Sequence, residues 1–154
     1  MGNSETPEGL AQRALDVSIL DHRQLQTVWS ELGSQNVPLE HFKQALLRNG
    51  LLTNFQLERL VSGFRDGFFY GDYKVLYAVG AGTFARVFRA SHRVTNKIYA
   101  VKVLRKRFSN PAGDEGKNRS KIDSFRREGE LGATLKHPNI VPIHEVYSKG
   151  LTHY

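Results

Sequence analysis

The chain is 154 residues long, 40% hydrophobic, and carries a formal charge of +7. That length holds one domain or two small ones, and that apolar content supports a packed core, so a wholly disordered chain is excluded. There is no cysteine, which excludes a disulfide framework and a thiol nucleophile and fits a reducing, cytoplasmic setting.

In chain order, residues 1–20 read as a flexible polar tail. Its opening, Met1-Gly2-Asn3-Ser4-Glu5-Thr6, fits the pattern for N-myristoylation of Gly2, yet Glu5 and Glu8 stand where a basic patch would have to reinforce a single acyl chain. Residues 21–70 predict a helical module. Leu25, Val28, Trp29 and Leu32 follow helical spacing behind an Asp21 cap, and Gly33 ends that run. Pro38 opens a second helix, striped by Leu39, Phe42 and Leu46 and closed by Asn49-Gly50. Thr53 and Gln56 form a capping box before Leu57, Leu60, Val61 and Phe64. These stripes read as core, since nothing in the module looks catalytic. The cluster Phe68-Phe69-Tyr70 is too apolar for a bare linker and predicts packing of the module onto the C-terminal half of the chain. No apolar run reaches the ~18 residues needed to span a bilayer, and the six histidines show no paired metal spacing.

From Tyr73 the period changes to two. Tyr73–Val79, Ala85–His92 and Ile98–Leu104 predict a three-stranded antiparallel meander, with Gly80-Ala81-Gly82 at its first turn. Two glycines separated by one residue let the backbone turn tightly and bring its N–H groups close to an anion. Alone, that spacing equally describes an ordinary hairpin turn. A dinucleotide fold would need a helix after the glycines and an acid about 20 positions on; here a strand follows, and the third strand carries Lys102. Between Val101 and Val103, an unpaired ammonium is costly to desolvate and calls for an anionic partner. The alternative is a lysine on the wet face of an edge strand.

Downstream, Ser120-Lys-Ile-Asp123 is a helix-start signature, and the helix is expected to run to about Leu135, before Pro138. Phe125, Glu128, Leu131, Gly132 and Leu135 share one face, while Glu130 points away beside Arg126 and Arg127. Lys102 and Glu128, two opposite charges in apolar stretches, make a natural pair. Residues 1–72 hold six Lys or Arg and nine Asp or Glu, against sixteen and six in 73–154. Much of the positive excess surrounds the Gly- and Asn-rich segment 109–120, which reads as a mobile loop. Without aromatic interleaving or a known binding module, that charge reads as a solvated surface near an anionic ligand and not as a nucleic-acid site.

These residues resemble the N-terminal lobe of a protein kinase, nearest to the bacterial serine/threonine kinases related to the eukaryotic ones. The family's glycine loop falls on Gly80, Gly82 and Ala85 with Val87 after it, its third-strand lysine on Lys102 and its αC glutamate on Glu128. His137-Pro138-Asn139-Ile140-Val141 resembles the turn from αC into the fourth strand. Ala85 departs from the family's usual third glycine by one methyl, which implies a slightly stiffer loop. The resemblance covers about half the chain.

It implies an α+β fold, a kinase N-lobe over 73–154 behind the helical module. It also implies ATP binding by Val79, Gly80, Ala81, Gly82, Thr83, Phe84, Ala85, Arg86, Val87, Ala100 and Lys102, with Glu128 positioning the lysine. The implied partners are ATP with Mg2+ and a protein substrate with a Ser or Thr acceptor. The family's His-Arg-Asp and Asp-Phe-Gly, which supply catalysis and magnesium ligands, are not in the sequence. Tyr154 falls at about the start of the fifth strand, so the lobe is expected to stop before the hinge. The alternative is a non-catalytic interaction module with a kinase-lobe remnant.

Overall fold

The computed structural model describes residues 5–113 and 116–154. Gly2 lies outside them. Two compact units emerge, residues 1–77 with 90–99 and residues 78–89 with 100–154.

The first unit contains four helices: α1 (Pro7–Asp16), α2 (His22–Leu32), α3 (Leu39–Arg48) and α4 (Asn54–Val61). Helix α1 corrects the expectation of a flexible tail. Thr6 caps it by accepting from the Gly9 N–H at 3.0 Å, Pro7 occupies the first turn, and Leu10, Ala11 and Ala14 are buried. The other three match their sequence signals. Asp21 with Gln24, and Thr53 with Gln56, both form reciprocal capping boxes. Pro38 stands at the N-cap of α3, and Gly33, with φ +71°, ends α2. The Glu31 carboxylate of α2 accepts from Asn49 and Arg48 beyond and within α3, and those bonds hold its pKa below the ordinary carboxylate value.

The core of this unit gathers Leu10, Ala14, Ile19, Leu20, Leu25, Val28, Phe42, Leu46, Leu57, Leu60 and Phe68. Phe68 therefore joins the helices, while the next two residues form strand β1 (Phe69–Tyr70), absent from the sequence expectation. It pairs antiparallel with β2 (Tyr73–Ala81), Phe69 opposite Lys74 and Tyr70 opposite Tyr73. The capping box of α4 also reaches the sheet. Buried Gln56 donates its Nε2 to the Val75 carbonyl at 2.6 Å, and Thr53 donates its hydroxyl to the Leu76 carbonyl, also at 2.6 Å. Lys74, half-buried, has its pKa lowered by desolvation and then by the charge of Arg93.

Strands β3 (Ala85–His92) and β4 (Ile98–Leu104) complete a four-stranded sheet in the order β1-β2-β3-β4. The expected meander is therefore present, enlarged by one short strand. The fold is α+β: among the described residues there are six helices and six strands.

In the second unit, β4 leads into a single helical turn, α5 (Lys106–Ser109), and then α6 (Lys117–Thr134). Segment 109–120 is thus largely structured, which corrects the mobile-loop expectation for its described part: Ser109 and Asn118 are buried. Helix α6 begins three residues before Ser120, so the expected cap there is an interior position. The stretch after α6 does not add a strand to the main sheet. Pro138 and Pro142 lack the N–H a ladder needs, and the next strands, β5 (Ser148–Lys149) and β6 (Thr152–His153), form their own two-stranded sheet. Gly129 and Gly132 let that returning stretch lie against α6, since an added Cβ would approach Val146 at 3.0 Å and Ile143 at 2.5 Å. His153 ties the hairpin down, its ring nitrogens lying 2.7 Å from the Ser148 hydroxyl and 3.1 Å from the Ser109 carbonyl. Because that carbonyl can only accept, Nε2 carries a proton. No helix among the described residues is long and apolar enough to cross a membrane.

Candidate functional site

Alternation along β4 sets the site. Val101 and Val103 are buried, so Ala100 and Lys102 project from the opposite, exposed face. One face of β3 likewise brings half-buried Val87 to this side. Lys102 Nζ lies 2.7 Å from Glu128 Oε1 on α6, so the pairing expected from sequence is formed. The expected reason is corrected. The two side chains are 48% and 67% exposed, because the apolar neighbours of Lys102 in sequence lie on the other side of the strand. A pair this exposed contributes at most about 1 kcal/mol to stability. Phe125, one turn before Glu128, lies with its ring centroid 5.9 Å from the Lys102 ammonium.

A cavity of about 530 Å³ opens between the glycine turn and α6, with Lys102 and Glu128 in its wall. Gly82, Thr83, Phe84, Ala85 and Val87 line it. Val79, Gly80, Ala81, Arg86 and Ala100 do not line it; they are exposed along the adjoining strands. Lys121 and Ser124, to which the sequence assigns no binding role, do.

The glycine turn itself departs from expectation in one respect. Neither Gly80 nor Gly82 adopts a positive φ, so the turn does not require glycine for its backbone conformation. A Cβ added at Gly80 would meet no protein atom within 4 Å, and one at Gly82 only the Ala85 carbonyl oxygen at 3.5 Å. What these glycines leave is open space against bare backbone, which suits close approach by a ligand.

The turn is held from behind. Arg105 Nε donates to the Gly82 carbonyl and Arg107 Nη2 to the Thr83 carbonyl, each at 2.9 Å. The Arg105 backbone N–H donates to the Phe84 carbonyl at 2.8 Å. Phe84 packs on Phe108 with ring centroids 5.1 Å apart. These arginines carried no local motif; only the return of α5 to the turn reveals them. Among the described residues no group of three His, Asp or Glu could hold a metal ion.

Comparison with known proteins bears on this geometry. The family model described as protein kinase domain matches residues 73–154. The chain is 33% identical over 75 residues to human NUAK family SNF1-like kinase 1, covering 49% of this chain and 10% of that protein. It is 33% identical over 76 residues to serine/threonine-protein kinase PrkC of Bacillus subtilis, covering 49% and 11%. It is 32% identical over 75 residues to serine/threonine-protein kinase fused of Drosophila melanogaster, covering 49% and 8%. The chain thus matches about a tenth of the length of these relatives.

Proposed function

Since the chain belongs to the protein kinase family, we propose that residues 73–154 are the ATP-binding lobe of a serine/threonine kinase that transfers the γ-phosphate of ATP to protein hydroxyls. The observation that carries this reading is the 2.7 Å contact between Lys102 and Glu128 beside the glycine turn. In this role Lys102 holds the α- and β-phosphates and Glu128 holds Lys102, which makes the placement of α6 a condition of activity. Val79, Val87 and Ala100 wall the adenine, the backbone of Ala81 to Ala85 covers the phosphates, and Phe84 shields them from water. The open space beside Gly80 and Gly82 supports the same reading.

Magnesium, when bound, would neutralise charge on the β- and γ-phosphates. A cytoplasmic location is part of the proposal, supported by the cysteine-free composition.

A polypeptide of these residues alone carries no His-Arg-Asp and no Asp-Phe-Gly. Its contacts to ATP reduce to a few backbone amides and one lysine. Each is worth about 1.5 to 3 kcal/mol when charge-assisted, before the entropy of ordering the turn and the nucleotide is subtracted. Calorimetric titration is expected to give a Kd in the millimolar range, about −4 kcal/mol, and a radiolabelled assay no phosphate transfer. A low-micromolar Kd, or turnover by the purified chain, would contradict this.

A further inference from the structure

Resting on the reading that the glycine turn covers phosphates, we propose that Arg105 and Arg107 are positioning residues. They clamp the turn by its carbonyls, and α6 holds the clamp in place. Three consecutive carbonyls, those of Gly82, Thr83 and Phe84, accept from the segment 105–107. In a planar trans peptide the C=O and the following N–H point in opposite directions. With the Gly82 and Thr83 carbonyls drawn to the arginines, the N–H groups of Thr83 and Phe84 face away from them. Among the described residues neither amide donates to another backbone group. Both are left to an anion, and two guanidinium charges sit behind the turn, where they add attraction without occupying the front.

The other end of the clamp is fixed by the start of α6. Asn118, buried at 3% exposure, donates to the Arg107 and Asn110 carbonyls at 3.0 and 3.2 Å. Lys121 lies over the Phe108 ring at 4.7 Å and the Phe84 ring at 5.7 Å. Glu128, ten residues or about 15 Å further along the same helix, holds Lys102. One rigid rod therefore sets both the lysine and the turn. A shift of α6 that releases Lys102 also slackens the turn.

The test compares the parent chain with Arg105→Met/Arg107→Met, which keeps side-chain length and removes the donors. Arg119→Met/Arg127→Met, on exposed positions of α6, matches the loss of charge. Amide hydrogen exchange over residues 80–85, without nucleotide, is expected to rise about tenfold in the clamp variant and to stay at the parental rate in the control. Equal exchange in parent and clamp variant, or the same rise in the control, overturns the proposal. Should the double variant fail to fold, Arg107→Met alone, at an exposed side chain, gives the same comparison at Gly82, whose N–H donates across the turn to the Ala85 carbonyl at 2.8 Å. Adding millimolar ATP separates the clamp from the nucleotide reading. Slower exchange over the parent's turn supports nucleotide binding there; no slowing, with the clamp variant still faster, refutes that binding and upholds the clamp.

Discussion

Lys102→Met is expected to abolish phosphoryl transfer in a protein that carries these residues together with a catalytic loop, a loss of at least about 10³-fold. Methionine matches lysine in length but offers no charge to the phosphates, so the cost falls on the stage where charge has to be stabilised. The fold should scarcely notice. The pair with Glu128 is half in solvent and supports little stability, so the melting temperature is expected to stay within about 4 °C of the parent. Glu130→Ala is the matched control. That carboxylate lies 3.6 Å from Arg126 Nε on the far side of α6, and its removal should leave turnover nearly unchanged. Kinetics and a thermal melt on the same samples decide the matter; Lys102→Met activity within a factor of two of the parent would sink the assignment.

Phe42→Ala should produce the largest stability loss. Phe42 is fully buried and stacks on Trp29, with ring centroids 4.4 Å apart and planes within 9°. Truncating such a side chain costs about 3 to 5 kcal/mol, a large part of the 5 to 15 kcal/mol typical of a whole domain. Trp29 is the only tryptophan in the chain, so its fluorescence follows this unit during urea unfolding. The midpoint is the informative quantity, because the substitution alters the intensity directly. A midpoint shift equivalent to less than about 1 kcal/mol would mean that the helical core is not packed as described.

Local signals were legible where the chemistry is local. Asp21 with Gln24 and Thr53 with Gln56 each satisfy both halves of a capping box within four residues, and both boxes form. The Ser120 signature failed because the helix had already begun at Lys117, where no side-chain cap marks the start. Helix α1 was missed because its inner face relies largely on Ala11 and Ala14, with Leu10 buried and Leu15 half-buried beside them, too small a stripe to stand out from polar sequence. The pairing of Lys102 with Glu128 was legible from charge and order along the chain. Their exposure was not, because a run of apolar neighbours says nothing about which face of a strand a residue takes. Arg105 and Arg107 lay beyond sequence reasoning altogether, since their partners are backbone carbonyls more than twenty residues away.

The bonds from α4 to β2 have a consequence for solubility. Strand β1 shields only the first two residues of β2, and an uncovered strand edge is a template for pairing with another molecule. Beyond that point the Val75 N–H is taken by the Phe68 carbonyl at 2.9 Å and the Val75 carbonyl by Gln56. A helix cap therefore stands in for a missing neighbour strand and blocks the place where a second chain could add. Cutting the chain at Gly71 would strip away both partners and bare that edge. Residues 71–154 alone should sediment as concentration-dependent oligomers, and a clean monomer at high concentration would show that the helices have no such guarding role.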